Sequence, residues 1–135
     1  QADQVVAERA MPLLLQGRFD PPWVRDIAQT TRLPEALVRS VLARLNKTAE
    51  VYQVVKDLYC HQKVVHELAQ LARHVCERDG QVTAATFRDA TELGRKRARQ
   101  ILEFFDRIGY LRRVGDIHLL RSGTALFASE TSTPT

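Results

Sequence analysis

Four cations crowd into the six positions of GRKRAR, residues 94–99: Arg95, Lys96, Arg97 and Arg99. Basic side chains packed this closely suit one chemistry well, the neutralisation of a polyanion such as a phosphate backbone. Catalytic signals are missing by comparison. The 135-residue chain contains no GxxxxGK[ST], HExxH or GxSxG, so it signals neither P-loop nucleotide binding, zinc proteolysis nor a nucleophile elbow. Ser40, Asp57 and His61 form no triad that their spacing supports. Cys60 and Cys76 are too few for a disulfide framework, and with His61, His66 and His74 they fit no C-x-x-C or H-x-x-x-H metal spacing. We read them as buried thiols and surface imidazoles. The remaining chemistry is binding.

The bulk composition allows a folded binding module. With 44% hydrophobic residues the chain can bury a core, and its net charge of +4 is mild. The charge is uneven, however: residues 1–60 hold eight Lys/Arg against seven Asp/Glu, and residues 87–135 hold nine against six. No apolar run approaches the roughly twenty residues that span a bilayer, and no signal-peptide pattern opens the chain. The expectation is a cytoplasmic chain with no membrane partner. A start at Gln1 without Met suggests a piece of a longer protein.

The elements that must position the cations repeat. An apolar stripe at Val5, Val6, Met11, Leu14 and Leu15 predicts a first helix, and FDPPW predicts a helix start capped by Asp20. A short helix through Ile27, a turn at TTRLP, a third helix opened by Pro34 and a hairpin over EVYQVVKDLYC follow. Shifted by sixty residues, this order recurs: Ile27 falls on Phe87, Leu33 on Leu93, Val41 on Ile101, Leu45 on Phe105 and Val51 on Leu111. The stretch from Val64 to Cys76 supplies the second copy's first helix, and DGQVT a turn into a short strand. The expected fold is mainly α with small β wings, two tandem winged-helix domains at 1–62 and 63–121. A flexible tail is expected over 122–135, with Leu126 and Phe127 able to dock.

Each copy is a control for the other, because both need similar cores. On the third helix of copy two, Ala98, Ile101, Leu102, Phe105 and Ile108 share one face, opposite Lys96, Gln100, Glu103 and Arg107. Cations at a helix start oppose the macrodipole, so stability alone does not gather them there. The same window in copy one is PEALVR, where Glu35 and Arg39 cancel. Gly94 replaces Pro34, which restores a backbone N–H where helix starts receive phosphate. Tyr52 and Gln53 become Arg112 and Arg113 on the second wing, with His118 aligned on Leu58. The plainer account is a solvated face, with Glu103 and Asp106 paired along the helix to Arg99 and Arg107, and Tyr110 in the core. The asymmetry between copies favours nucleic acid, with Arg88 on the second helix as a further phosphate contact. Charge does not decide between duplex DNA, as for a transcription regulator, and an RNA hairpin end.

The string FRDATELGRKRARQILEFFDRIGYLRRVGDIHLLR, residues 87–121, resembles the last winged-helix domain of bacterial selenocysteine-specific elongation factors, the SelB family. DPPWVRDIA and EVYQVVKDLYCH resemble the penultimate domain of the same factors. The resemblance implies a binding fragment without enzyme activity, monomeric, whose upstream part carries a GTPase with GTP and Mg and delivers selenocysteinyl-tRNA to the ribosome. It also implies that the terminal domain grips the selenocysteine insertion element (SECIS), an mRNA hairpin beside an in-frame UGA codon. Carried onto this sequence, the expected RNA-binding residues are Arg88, Gly94, Arg95, Lys96, Arg97, Arg99, Arg112, Arg113 and His118. The cations would hold phosphates, the Gly94 end would donate N–H groups, and Arg or His side chains would touch an extruded base.

Overall fold

In the computed structural model, which describes residues 2–127, the elements run α1 (Ala2–Gly17), α2 (Val24–Thr31), α3 (Glu35–Lys47), β1 (Val51–Val55), β2 (Leu58–His61), α4 (Gln62–Asp79), α5 (Ala84–Thr91), α6 (Arg95–Ile108), β3 (Leu111–Val114) and β4 (Ile117–Leu120). The chain is mainly helical with two antiparallel hairpins, β1–β2 and β3–β4, the arrangement of tandem winged helices. It divides into two units, Gln1–Val65 and His66–Thr135.

In unit 1 the first helix buries Val6, Ala10 and Leu14 at intervals of four, against Ile27, Val38, Val41 and Leu42 of α2 and α3. The buried stripe is narrower than the sequence suggests, since Val5 and Leu15 stay exposed. Trp23, not Asp20, occupies the N-cap of α2, and no side chain caps it. The two prolines carry the chain past Asp20 in extended form before helical turns begin.

Unit 2 is built around larger side chains. Phe87, Ile101, Leu102, Phe105, Tyr110 and Leu111 are fully buried, each contributing about 1.5–3 kcal/mol by leaving water. Phe104, off the predicted apolar face, is buried as well. Tyr110 belongs to this core, with its hydroxyl donating to the Ala69 carbonyl at 3.0 Å. A reciprocal capping box between Thr83 and Thr86 starts α5. Phe127 closes the core from the C-terminal side: its ring stands edge-on to His66 and Tyr110, and Gln70 Nε2 donates to its carbonyl at 2.9 Å. This part of the expected flexible tail is therefore packed, while Leu126 is exposed. The rest of the tail, residues 128–135, lies outside the described residues.

The sixty-residue offset holds in the helices, with Val24 matching Ala84, Thr31 matching Thr91 and Glu35 matching Arg95. Helices α3 and α6 also end alike. Glu50 N–H donates to Leu45 O, and Tyr110 N–H donates to Phe105 O, across a left-handed residue that is Ala49 in one unit and Gly109 in the other. The offset fails in the hairpins. Strands β1 and β2 pair Gln53 with Tyr59 and then slip to pair Val55 with Leu58, whereas β3 and β4 pair Arg113 with His118 and Val114 with Ile117 without a break. The bulge adds one residue to β1, so His118 corresponds to Tyr59 rather than Leu58, and Asp116 corresponds to Asp57.

Candidate nucleic-acid interface

Gly94 takes the N-cap position of α6 with no side chain to offer, and no acid stands in the first turn. The opening N–H groups of that helix have no side-chain cap, and a Cβ at Gly94 would meet nothing within 4 Å. Around this end Arg95, Lys96 and Arg99 are exposed. They border a depression on α6, and Arg95 and Arg99 also line a groove of about 600 Å³. The start of α5, at Thr83, Ala84 and Ala85, and the wing residues Arg113 and Asp116 form its other walls.

The expected site residues sort into three groups by position. Arg95, Arg99, Arg113 and His118 line the groove, with Gly94 at the head of the same helix and Lys96 on the adjoining depression of α6. Arg113 anchors its Nε on the Gly115 carbonyl at 2.9 Å and lies 4.0 Å from Glu103. Arg88 follows Ala84 and Ala85 on the same face of α5, with its guanidinium 3.8 Å from Asp89. Arg97 is half-buried and borders neither depression, and Arg112 pairs with Leu119 on the opposite face of the hairpin from Arg113.

His118 departs from the expectation. It is 6% exposed, with Nδ1 3.0 and 2.9 Å from the two oxygens of Asp106. Held this way, the ring presents little surface to the groove that it helps to line. Asp106 and Glu103 thus face the wing, at His118 and Arg113. Sequence reasoning missed Asp116 as a groove residue, because the bulge in β1 hid its equivalence to Asp57.

Unit 1 makes a different surface from the same parts. Arg39, the counterpart of Arg99, donates Nε to Asp57 Oδ1 at 2.9 Å and Nη2 to Asp57 Oδ2 at 3.1 Å. It also donates to Glu35 at 2.6 Å. These bonds hold the Asp57 carboxyl below the usual carboxylate range and raise the guanidinium further above its own. The corresponding groove, beside Trp23, Arg25 and Lys56, is smaller at about 360 Å³.

Among the described residues, no group of three or more His, Cys, Asp or Glu is placed to hold a metal ion. Cys60, Cys76 and His61 are buried, His61 against the surface reading, and His66 and His74 are exposed. No helix among the described residues is long and apolar enough to cross a membrane.

Comparison with known proteins follows these divisions. Residues 74–120 match the family described as elongation factor SelB, winged helix. The selenocysteine-specific elongation factor of Escherichia coli K12 is 39% identical over 121 residues, and that of Haemophilus influenzae Rd is 34% identical over 99. The matches cover 90% and 73% of this chain, which spans 19% and 16% of those relatives. Among solved structures, the mRNA-binding domain of E. coli SelB in complex with SECIS RNA superposes with a TM-score of 0.82 at 39% identity. That match covers 90% of this chain and 98% of the other. The chain belongs to the SelB family of elongation factors, as its tandem winged-helix binding region.

Proposed function

We propose that this chain is the mRNA-gripping region of a selenocysteine-specific elongation factor, holding a SECIS-type hairpin through unit 2. One observation carries the reading: Arg95, Arg99 and Arg113 line one groove, with Lys96 on the adjoining depression, in a chain that matches a domain solved with SECIS RNA. The cationic lining of the groove and the exposed helix start suit crowded phosphates at a hairpin end. A-form RNA offers no major groove wide enough for a recognition helix, so a plain duplex fits this surface poorly. In the whole factor, this grip would tether a GTPase using GTP and Mg, with its selenocysteinyl-tRNA, to the cytoplasmic ribosome at a UGA codon.

The test is a titration of the 135-residue chain against a fluorescent hairpin bearing a loop and a bulge, at about 150 mM salt. A loop-closed RNA duplex and the matching DNA duplex serve as competitors. The reading expects the hairpin to outcompete both. Equal binding to all three would reduce the surface to a general polyanion site, and preference for DNA would favour a transcription regulator. With about five phosphates engaged, affinity should fall by roughly two to three decades between about 50 and 200 mM salt.

A further inference from the structure

The two wings are fastened at different points. In unit 1 the hairpin is held at its tip: the Asp57 carbonyl accepts from Val24 N–H at 3.0 Å, and the Asp57 carboxylate takes both arms of Arg39. The end of α3 contributes a neutral bond, Gln53 N–H to Asn46 Oδ1 at 3.2 Å. Unit 2 is fastened in mid-strand. His118 exchanges backbone hydrogen bonds with Val82 at 2.9 and 2.8 Å, and its ring is held by Asp106, the counterpart of Asn46. The tip carries the same acid, Asp116, and it lines the groove together with the same arginine, Arg99. Among the described residues, no ion pair joins them.

We infer that the Asp106–His118 pair is a positioning device: it holds the second wing by its middle, so that the tip stands off α6 and Arg99 stays uncommitted for RNA. The inference rests on the RNA-gripping reading of this surface and gives His118 a role behind it. The Asp106–His118 contact is largely excluded from water, with side chains 8% and 18% exposed, so it keeps its geometry where a surface pair would yield to solvent. Cross-strand pairing passes that geometry on: Arg113 sits directly opposite His118, and its guanidinium meets α6 only through the 4.0 Å approach to Glu103. A phosphate can displace so loose a contact without moving the wing.

The test grafts the chemistry of unit 1 onto unit 2 as Asp106→Asn with His118→Tyr, in the full chain. The first readout needs no RNA: NMR of the arginine Nε–H groups should show Arg99 rotating freely in the wild type and restrained by Asp116 in the graft. The second is hairpin affinity, expected to fall about tenfold in the graft, with no further fall in an Arg99→Ala background. Equal losses in both backgrounds would mean that the pair only supports the fold and would overturn the inference. So would a wild-type Arg99 already held by Asp116, a measurement that stands even if the graft does not fold. If the wild type ignores the hairpin while the Nε–H change appears as expected, the RNA reading fails and the positioning role stands.

Discussion

Arg39 and Arg99 are the same residue in two copies of one fold, and their neighbours give them opposite surroundings. Arg39 sits between Glu35 and Asp57, whereas Arg99 follows Arg95 and Lys96 on a helix start without acids. The backbone that presents them hardly differs, since their helices begin at equivalent residues. The winged-helix fold alone therefore does not set the charge of this surface. The two surroundings differ in the first turn of the third helix, where Glu35, Ala36 and Leu37 stand against Arg95, Lys96 and Arg97, and in where the wing is tied down.

The largest break in this contrast should come from reversing the charge of unit 2. Lys96→Glu with Arg99→Glu is expected to weaken hairpin binding by about a hundredfold or more, because each change removes a phosphate contact and adds a repulsion. Arg39→Glu in unit 1 should leave anisotropy titrations with the same hairpin nearly unchanged. The converse experiment sharpens the contrast: Glu35→Arg with Asp57→Asn frees Arg39 and adds a cation. Binding to unstructured RNA should then rise by roughly tenfold at low salt and vanish at high salt. No gain would show that charge is insufficient and that wing placement dominates.

Smaller effects should come from the matched helix ends. Gly109→Ala puts a Cβ on a residue at φ 87° and should lower unit 2 stability by about 1 kcal/mol, while Ala49→Gly relieves φ 62° and should stabilise unit 1 by a few tenths to 1 kcal/mol. Denaturant midpoints for the two variants should move in opposite directions. The slightest change is a pH effect confined to unit 1. Burial, with a smaller contribution from Lys63, lowers the pKa of the His61 imidazole, whose Nδ1 accepts the Lys63 N–H at 3.0 Å. The unfolded chain then takes the proton first, so stability is present above the unfolded value near 6.5 and is lost as pH falls below it. His61→Gln should flatten that dependence in thermal melts, and a slope that survives the change would assign it elsewhere.

Much of this was legible in the sequence. The three-and-four spacing in both third helices and the sixty-residue offset located the helices, because helical periodicity is local information. The hairpins were harder to align, since the bulge in β1 leaves no mark of its own and shifts every later residue by one place. The burial of His118 is not explained by that shift, since Leu58 and Tyr59 are both buried; it comes from the contact with Asp106, which nothing in the string marks. Arg112 and Arg113 look equivalent in a string, but pleating sends only one of them toward α6. The docking of Phe127 depended on a surface assembled from α4, α6 and Tyr110, none of it adjacent in sequence.

Phe127 has a practical consequence for anyone handling this region as a fragment. By sequence the natural place to cut is after Leu120, where the last strand ends. A fragment ending there would lack the ring that covers Tyr110, Phe105 and His66, and would leave Gln70 without the carbonyl it holds. It would carry a fresh greasy patch, and its poor solubility could be misread as a defect in RNA handling. Tags and fluorophores belong beyond residue 127.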